Sequence, residues 1–547
     1  MHFKAMTLPV ALVLALSLAS CGGGGGGGSS STPSNQVTPV PGQDPNAALS
    51  FSPSTLSVDL PFSGDSTTLS TVATLKTAIT GALYILVTEP NGIIEPNIPA
   101  LKNADGTYRA TVTTRASLKP GNHTGTIKIQ LCKDDKCASE YPGSPAYLPI
   151  SVNIAGKQEP LVPWNGVADW TTTQGNNAHN GYVPVTLDPK QFSPRWRLNK
   201  SYQYDYRVYD KIITSGNSAV LYQDKTLTSI NIDDGSLRWT ALPNSGSYSF
   251  FGLPAIADNK LYLTSRNTSV LVYNLVDSQR LIETKQANYA YGTPQYAPVI
   301  DDNLIYSVAD YLNGVPDYTS YLYGYNKNGG IQWKTPINKY FYGTPAVDRA
   351  NVYVYAGLDT GGSALSVLSK KYGAVLRKFP DTAGTITGSF PAPGIPVLGS
   401  MNDVIVINSR DFQNNPQNAL VSFDIDNGVN WVRRGQFVQD PVVGGGVIYV
   451  ASVGPHQITA YDEKTGNTLW SWQPPKDDTT AVFGNLIVTN NMLFLSTEKR
   501  IYGLDLASRS TAWTYDAAGY LTIAANGTLL VAGTAANAGT LLAFNLK

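Results

Sequence analysis

A pattern of Asp or Asn, Gly and Trp returns along the C-terminal part of the chain, and it limits the fold more than any other feature. The two clearest copies are Leu227-Thr-Ser-Ile-Asn231-Ile-Asp-Asp-Gly235-Ser-Leu-Arg-Trp239 and Ile458-Thr-Ala-Tyr-Asp462-Glu-Lys-Thr-Gly466-Asn-Thr-Leu-Trp470. Each sets an Asp or Asn, a Gly four residues on, and a Trp four beyond that. Looser copies run Asn326…Gly330…Trp333, Asp424…Gly428…Trp431 and Asp505…Trp513, the last with Arg509 at the Gly position. Two more pass through Asn274 and Ser369, where Ile282 and Arg377 stand at the Trp position. With Asn545 as the eighth anchor, successive anchors are 43, 52, 43, 55, 38, 43 and 40 residues apart. A period near 40–45 residues with strand-like runs between is the spacing of four-stranded propeller blades.

Each position has a physical role. An Asp or Asn that ends the third strand of a blade can accept a bond from its own backbone two residues on. The Gly supplies a positive φ in the tight turn. The Trp falls on the outer strand, where its indole can cover the join to the next blade. A Pro precedes the inner strand in five blades, at Pro254, Pro298, Pro345, Pro396 and Pro441. The last repeat stops at Leu542-Ala-Phe-Asn545-Leu-Lys547, before its turn and Trp strand. Arg195-Trp196-Arg-Leu198, just ahead of the first full blade, has the character of the missing strand. Using it as the outer strand of blade eight would remove two unpaired edges. The expected fold is therefore all-β, with an eight-bladed β-propeller over 160–547. Seven blades follow if one degenerate repeat is mispaired.

Ahead of the repeats, residues 50–155 hold short alternating runs. These are Leu56–Leu60, Tyr108–Val112, Thr126–Leu131 and Tyr147–Ile154, separated by turn signals such as Pro90-Asn-Gly92 and Asp105-Gly106. Spaced strands of this kind predict a β-sandwich. Leu118-Lys-Pro-Gly121 followed by Gly125-Thr-Ile127 resembles bacterial immunoglobulin-like modules, which implies an immunoglobulin-like sandwich here. Cys132 and Cys137, separated by Lys-Asp-Asp-Lys, read as a local disulfide stapling the hairpin that leaves the Thr126–Leu131 strand. Metal binding or free thiols are the alternatives, but the remaining histidines are scattered, so no metal site is expected.

The N-terminus reads as an export signal over residues 1–20. His2 and Lys4 precede an apolar stretch, Ala5 to Leu18, too short to span a bilayer. It ends in Leu18-Ala19-Ser20-Cys21, which resembles a bacterial lipobox. That resemblance implies cleavage before Cys21 and lipidation of its sulfur; the other reading is an ordinary secretory signal with a chance cysteine. Gly22 follows the cysteine, where an inner-membrane-retaining lipoprotein has Asp. An outer-membrane lipid anchor, with the protein on the periplasmic face or the cell surface, is the expectation. Residues 21–49, with seven glycines and then Ser, Thr, Pro and Asn, form a flexible linker that gives the folded part reach.

The repeats resemble pyrroloquinoline-quinone-type propeller repeats, found in quinoprotein dehydrogenases and in the BamB family of outer-membrane assembly lipoproteins. The resemblance covers about residues 160–547 and speaks to fold more than to function. Quinoprotein dehydrogenases hold the quinone over Ca²⁺, use an Asp base and often have a vicinal Cys pair. This propeller contains no cysteine, and no ligand set can be assigned residue by residue. His179 lies in Gln174-Gly-Asn-Asn-Ala-His-Asn-Gly-Tyr182, which resembles the segment leading into propellers of this group and reads as structural. His456, beside Pro455, reads as a solvent-facing loop residue, and no paired carboxylate stands out. Neither catalysis nor a cofactor is expected.

One pattern points to binding. Segments just before the inner strands, which form one rim of a propeller, are rich in aromatics. The candidate binding residues are Tyr204, Tyr206, Tyr248, Tyr289, Tyr291, Tyr340 and Tyr342. One aromatic per blade is what packing between blades requires, and blades one to four carry more. Clustered tyrosines suit recognition of an envelope protein, a peptide or a glycan. Lys plus Arg (39) balances Asp plus Glu (39), so no nucleic acid partner is indicated. The sequence thus reads as a non-catalytic lipoprotein scaffold. A BamB-like assembly factor and a surface adhesin or glycan-binding module are the alternatives, and a quinoprotein dehydrogenase comes last.

Overall fold

A computed structural model describes residues 46–547 apart from 63–64, 97, 157–158, 200–211, 224–225, 244–252, 265–267, 286–295, 302, 313–317, 338–342, 359–361, 382–393, 410–416 and 534–539. Cys21 and the expected linker up to residue 45 lie outside the described residues, whereas its last part does not behave as a linker: Ala47, Ala48 and Leu49 are buried in the core of the first unit, and Leu49 begins a strand. The chain divides into two compact units, one of residues 1–61 with 65–155, the other of 62–64 with 156–547.

The first unit is a sandwich of two four-stranded sheets. One orders its strands Leu49–Ser52, Thr68–Leu75, Tyr108–Thr113, Ala100–Lys102; the other orders Leu56–Leu60, Ala146–Ile154, Gly121–Cys132, Tyr84–Thr88. Alternation puts Ile127, Ile129 and Leu131 of one strand inward, facing Leu148, Ile150 and Val152 of its neighbour's inner face. The sulfurs of Cys132 and Cys137 are at bonding distance, with Cα atoms 4.9 Å apart, where the chain leaves the Gly121–Cys132 strand.

The second unit contains eight sheets among the described residues, seven of four antiparallel strands and one, blade 7, of four antiparallel strands with a fifth, parallel one added at Tyr182–Val183. Seven run consecutively along the chain, from Ile212–Ala241 (blade 1) through Ala255–Lys285, Val299–Pro336, Ala346–Pro380, Val397–Gly435 and Val442–Trp472 to Val482–Tyr515 (blade 7). Blade 8 combines Gly519–Ile523, Thr528–Gly533 and Thr540–Asn545 with Ser193–Asn199 as its outermost strand. The N-terminal strand closes the ring as its sequence suggested, pairing Ser193 with Asn545 and Asn199 with Thr540.

The repeated anchors do what their chemistry predicts. The side-chain oxygens of Asn231, Asn274, Asn326 and Asp424 each accept the backbone N–H two residues on, at 2.9–3.0 Å. The indole N–H groups of Trp196, Trp239, Trp333 and Trp431 donate across the join to the carbonyls of Ile232, Leu275, Lys370 and Glu463. Each of those carbonyls belongs to the residue immediately after the next blade's anchor. The motif glycine has a second purpose beyond its positive φ. A Cβ on Gly373 or Gly466 would stand 2.4 or 2.5 Å from the indole of the preceding blade, so the Trp rests directly on bare backbone.

Four repeats depart from the pattern. In blade 3 the positive φ sits at Gly329 instead of Gly330, one residue early. Blades 2 and 4 lack the Trp, and the residue two positions farther takes its place on the same strand face. Thr284 packs against Gly329, and Phe379 against Gly428. At the Gly position itself, Ser278 and Arg509 hold φ values of 60° and 58° without the glycine.

Candidate functional site

The propeller axis is occupied by the chain's own lead-in segment, residues 170–183. It visits the inner strands in ring order. The Trp170 carbonyl accepts from Thr214 N in blade 1, and the Thr171 carbonyl from Ile256 N in blade 2. The Asn177 side chain donates to Ile300 O in blade 3, while its carbonyl accepts from Val347 N in blade 4. Carbonyls of Ala178, Asn180 and Gly181 then accept from Leu398, Val443 and Val488 in blades 5, 6 and 7. Tyr182–Val183 ends the run as a short parallel strand beside Val482–Thr489. Every inner-strand residue contacted is the last or next to last of its strand. The segment is therefore a floor across the exit end of the axis, opposite the loops that enter the inner strands.

Its local sequence explains the shape. Glycines 175 and 181 have φ of 93° and 61°, and a Cβ at Gly181 would stand 2.4 Å from Val442. Asn176 caps the central turn, accepting from Ala178 N and donating to Asn180 Oδ1. His179 is fully buried at φ 56°, with Nδ1 3.2 Å from the Pro396 carbonyl. It sits in the floor, with a carbonyl contact that suits a structural residue. His456 sits in a turn and is half-buried instead of solvent-facing.

On the entry side of the floor a cavity of about 20 Å³ is lined by Trp170, Thr172, Thr173 and Gln174 of the floor segment. Ile212, Pro254, Asn485 and Tyr520 of blades 1, 2, 7 and 8 complete much of its wall. None of the described residues in the lining is charged. The described lining residues thus supply no carboxylate of the kind that quinoprotein enzymes use for Ca²⁺, and these residues do not fit that group. Among the described residues no cluster of three or more His, Cys, Asp or Glu is placed to hold a metal.

A carboxylate pair does occur elsewhere, hidden from sequence reading by a separation of 60 positions. Asp403 begins the second strand of blade 5, and Glu463 follows the blade 6 anchor Asp462. Both are buried, at 6% and 0% exposure. Glu463 accepts from the Ser400 backbone N–H and, at 2.8 Å, from the Ser400 hydroxyl. Burial first, and then the adjacent Glu463 carboxylate, push Asp403 up to about 7. The pair has no access for a substrate and belongs to the blade join.

Of the candidate binding residues, Tyr204, Tyr206, Tyr248, Tyr289, Tyr291, Tyr340 and Tyr342 all lie outside the described residues. The strands they precede begin at Ile212, Ala255, Val299 and Ala346, on the entry side of the ring.

Comparison with known proteins places this architecture. The curated tetrathionate hydrolase of Acidithiobacillus ferrooxidans is 23% identical over 381 residues, which are 57% of this chain and 72% of that protein. Among solved structures, a quinohemoprotein alcohol dehydrogenase from Pseudomonas putida HK5 matches with a TM-score of 0.53 at 10% identity, over 69% of this chain and 80% of its own. BamB from Moraxella catarrhalis matches with a TM-score of 0.48 at 14% identity, over 65% and 99%. At 10% identity the dehydrogenase likeness is one of fold. The family model described as outer membrane protein assembly factor BamB matches residues 394–484 and 429–547, so the C-terminal repeats of this β-propeller are similar to that family.

Proposed function

We propose that this protein is a non-catalytic envelope lipoprotein, held by lipid on Cys21, whose propeller is a scaffold for a protein partner. The observation that carries the reading is the floor of residues 170–183, bonded to seven blades. A propeller whose exit end is sealed by its own backbone offers its entry-side loops to a partner. In sequence, tyrosine-rich segments precede the inner strands that begin at Ile212, Ala255, Val299 and Ala346, and large aromatics dominate binding energy at interfaces, each worth about 2 kcal/mol or more. Similarity of residues 394–547 to a family named for outer membrane protein assembly adds support for an envelope protein as partner.

Crosslinking and capture from intact envelopes tests the reading. Wild-type protein is expected to retain a discrete partner, and Tyr206→Ala with Tyr248→Ala to lose it at unchanged melting temperature. Loss of several kcal/mol of stability in that double variant would make the tyrosines core residues and remove the site. A second reading, hydrolysis of a sulfur oxyanion, is favoured by the likeness to tetrathionate hydrolase. Turnover of tetrathionate by purified wild-type protein would establish it in place of the first.

A further inference from the structure

The turns that lead into the outermost strands differ in charge from blade to blade. Asn351, just past the exit end of the blade 4 inner strand, pairs with Ser369, so the turn that follows Ser369 lies on the exit side. In other blades the equivalent turn carries carboxylates: Asp233-Asp234 in blade 1, Asp424 with Asp426 in blade 5, Asp462-Glu463 in blade 6. In blade 4 it reads Ser369-Lys-Lys-Tyr372-Gly373 and runs into the outermost strand, Val375-Leu-Arg-Lys-Phe-Pro380. From Ser369 to Pro380 there are four cations and no carboxylate.

The same stretch presents large apolar side chains to solvent. Tyr372, Val375 and Leu376 are 66%, 47% and 53% exposed, although Gly373 among them is seated on Trp333 of blade 3. Scattered apolar residues on a surface are ordinary, but three within five positions form a patch. Cations interleave with it, and Lys371 Nζ lies 5.0 Å from the centre of the Tyr372 ring. Lys370 is spent on Asp301 at 2.6 Å and Arg377 on Asp426 at 3.1 Å. Lys371 and Lys378 have no ion pair among the described residues, nor has the exposed Arg349, whose neighbour Ala350 accepts from Lys370 N. Protein interfaces are depleted in Lys, so this composition suits a protein partner poorly. A bilayer accommodates both halves of it. Apolar side chains enter the headgroup boundary, while long Lys and Arg stems keep their charges among the phosphates.

We propose that this exit-side corner of blade 4 docks on the surface of an anionic phospholipid bilayer. Tyr372, Val375 and Leu376 enter the headgroup layer, and Lys371, Lys378 and Arg349 meet the phosphates. The acidic turns of blades 1, 5 and 6 are repelled by such a surface, which confines the contact to one corner of the exit side. The inference goes beyond the scaffold reading and does not depend on what the entry loops hold. A chain already tethered to the membrane needs only a weak contact to stay oriented.

Acetylation of lysine amines by a water-soluble reagent, followed residue by residue by mass spectrometry on the full chain, tests the docking. Vesicles of phosphatidylcholine with phosphatidylglycerol are compared with vesicles of phosphatidylcholine alone. Lys371 and Lys378 are expected to react about tenfold or more slowly on the anionic vesicles only, an effect that shrinks at about 1 M salt. Lys464, exposed in the acidic turn of blade 6, is the internal control and should keep its rate. Tyr372→Ser with Leu376→Ser should restore the rates at unchanged melting temperature, since both side chains face solvent. Equal protection on neutral vesicles, equal protection of Lys464, or no protection at all would overturn the proposal. So would protection without vesicles that grows with protein concentration, which would assign the corner to a second copy of the chain. Crosslinking of Lys371 to an envelope protein in place of lipid would overturn it too. Failure of partner capture with this protection intact would remove the entry-side scaffold and leave the docking standing.

Discussion

The join that closes the ring, between blades 8 and 1, and the join between blades 5 and 6 are built on one plan with opposite electrostatics. At both, an indole N–H reaches over to the carbonyl after the next anchor, Trp196 to Ile232 at 2.7 Å and Trp431 to Glu463 at 3.0 Å. At both, the indole lies on a motif glycine, Gly235 or Gly466. The closing join then buries a cation with its partners. Arg195 donates to Asn545 Oδ1, to Asp233 Oδ1 and to the Glu159 carbonyl, each at 2.8 Å. The other join buries Asp403 beside Glu463, with no ion pair to either among the described residues. Repetition therefore specifies the packing of a join, while charge is free to differ from one join to the next. The closing seam pairs its buried cation with a carboxylate. The join between blades 5 and 6 needs a proton.

The largest effect is expected at the seam. Arg195→Met would take the guanidinium from Asn545 Oδ1 and from Asp233, which keeps only the Asn217 amide as a side-chain donor, and removing one member of a buried ion pair costs about 3–5 kcal/mol. Because this strand is what closes the ring, urea unfolding of Arg195→Met should show the loss with blade 8 exposed first to proteolysis. A midpoint equal to wild type would mean that strand pairing alone holds the closure.

The second effect is pH-dependent and distinguishes the two joins. Asp403 titrates near 3.8 when unfolded and at about 7 in the fold, so the native state binds the proton more tightly. Its stabilising contribution is fully present below about pH 4, declines as pH rises toward 7, and is gone above that. The decline amounts to at most about 4 kcal/mol, at about 1.4 kcal/mol per pH unit. Asp403→Asn should flatten the fall in melting temperature between pH 5 and 8 and should be the more stable protein at pH 8. Parallel curves for the two proteins would show that Asp403 is ionised and paired in some other way.

The smallest effect compares a turn that carries an indole with one that does not. Gly466→Ala forces a Cβ to 2.5 Å from Trp431 at φ 66°, and an overpacked site of this kind loses about 1–3 kcal/mol. Gly445→Ala has φ 62° but nothing within 4 Å of the new Cβ, so it should lose only about 1 kcal/mol. Equal losses in thermal denaturation would reduce the role of the motif glycine to its backbone angle.

Much of the ring was legible in the sequence because a blade's turn is local chemistry. Asn231, Gly235 and Trp239 lie within nine positions, and each has one evident task. Legibility failed where the same task passed to a residue of another kind. Thr284 and Phe379 replace tryptophans two positions farther along their strands, which side-chain alternation allows and a fixed spacing misses. It failed again for long-range meetings. Nothing near Asp403 announces Glu463, and the floor was visible as a resembling segment but not as seven bonds to seven blades.

The central claim, that the chain's own segment floors the axis, is tested most directly by hydrogen exchange resolved to single amides in the intact protein. The N–H groups of Thr214, Ile256, Val347, Leu398, Val443 and Val488 point their bonds at carbonyls of residues 170–181. With the floor seated, those six amides should exchange as slowly as the amides of the blades' second strands, through opening of the ring as a whole. Fast exchange at these six, with the second strands still protected, would show an open axis and contradict the account.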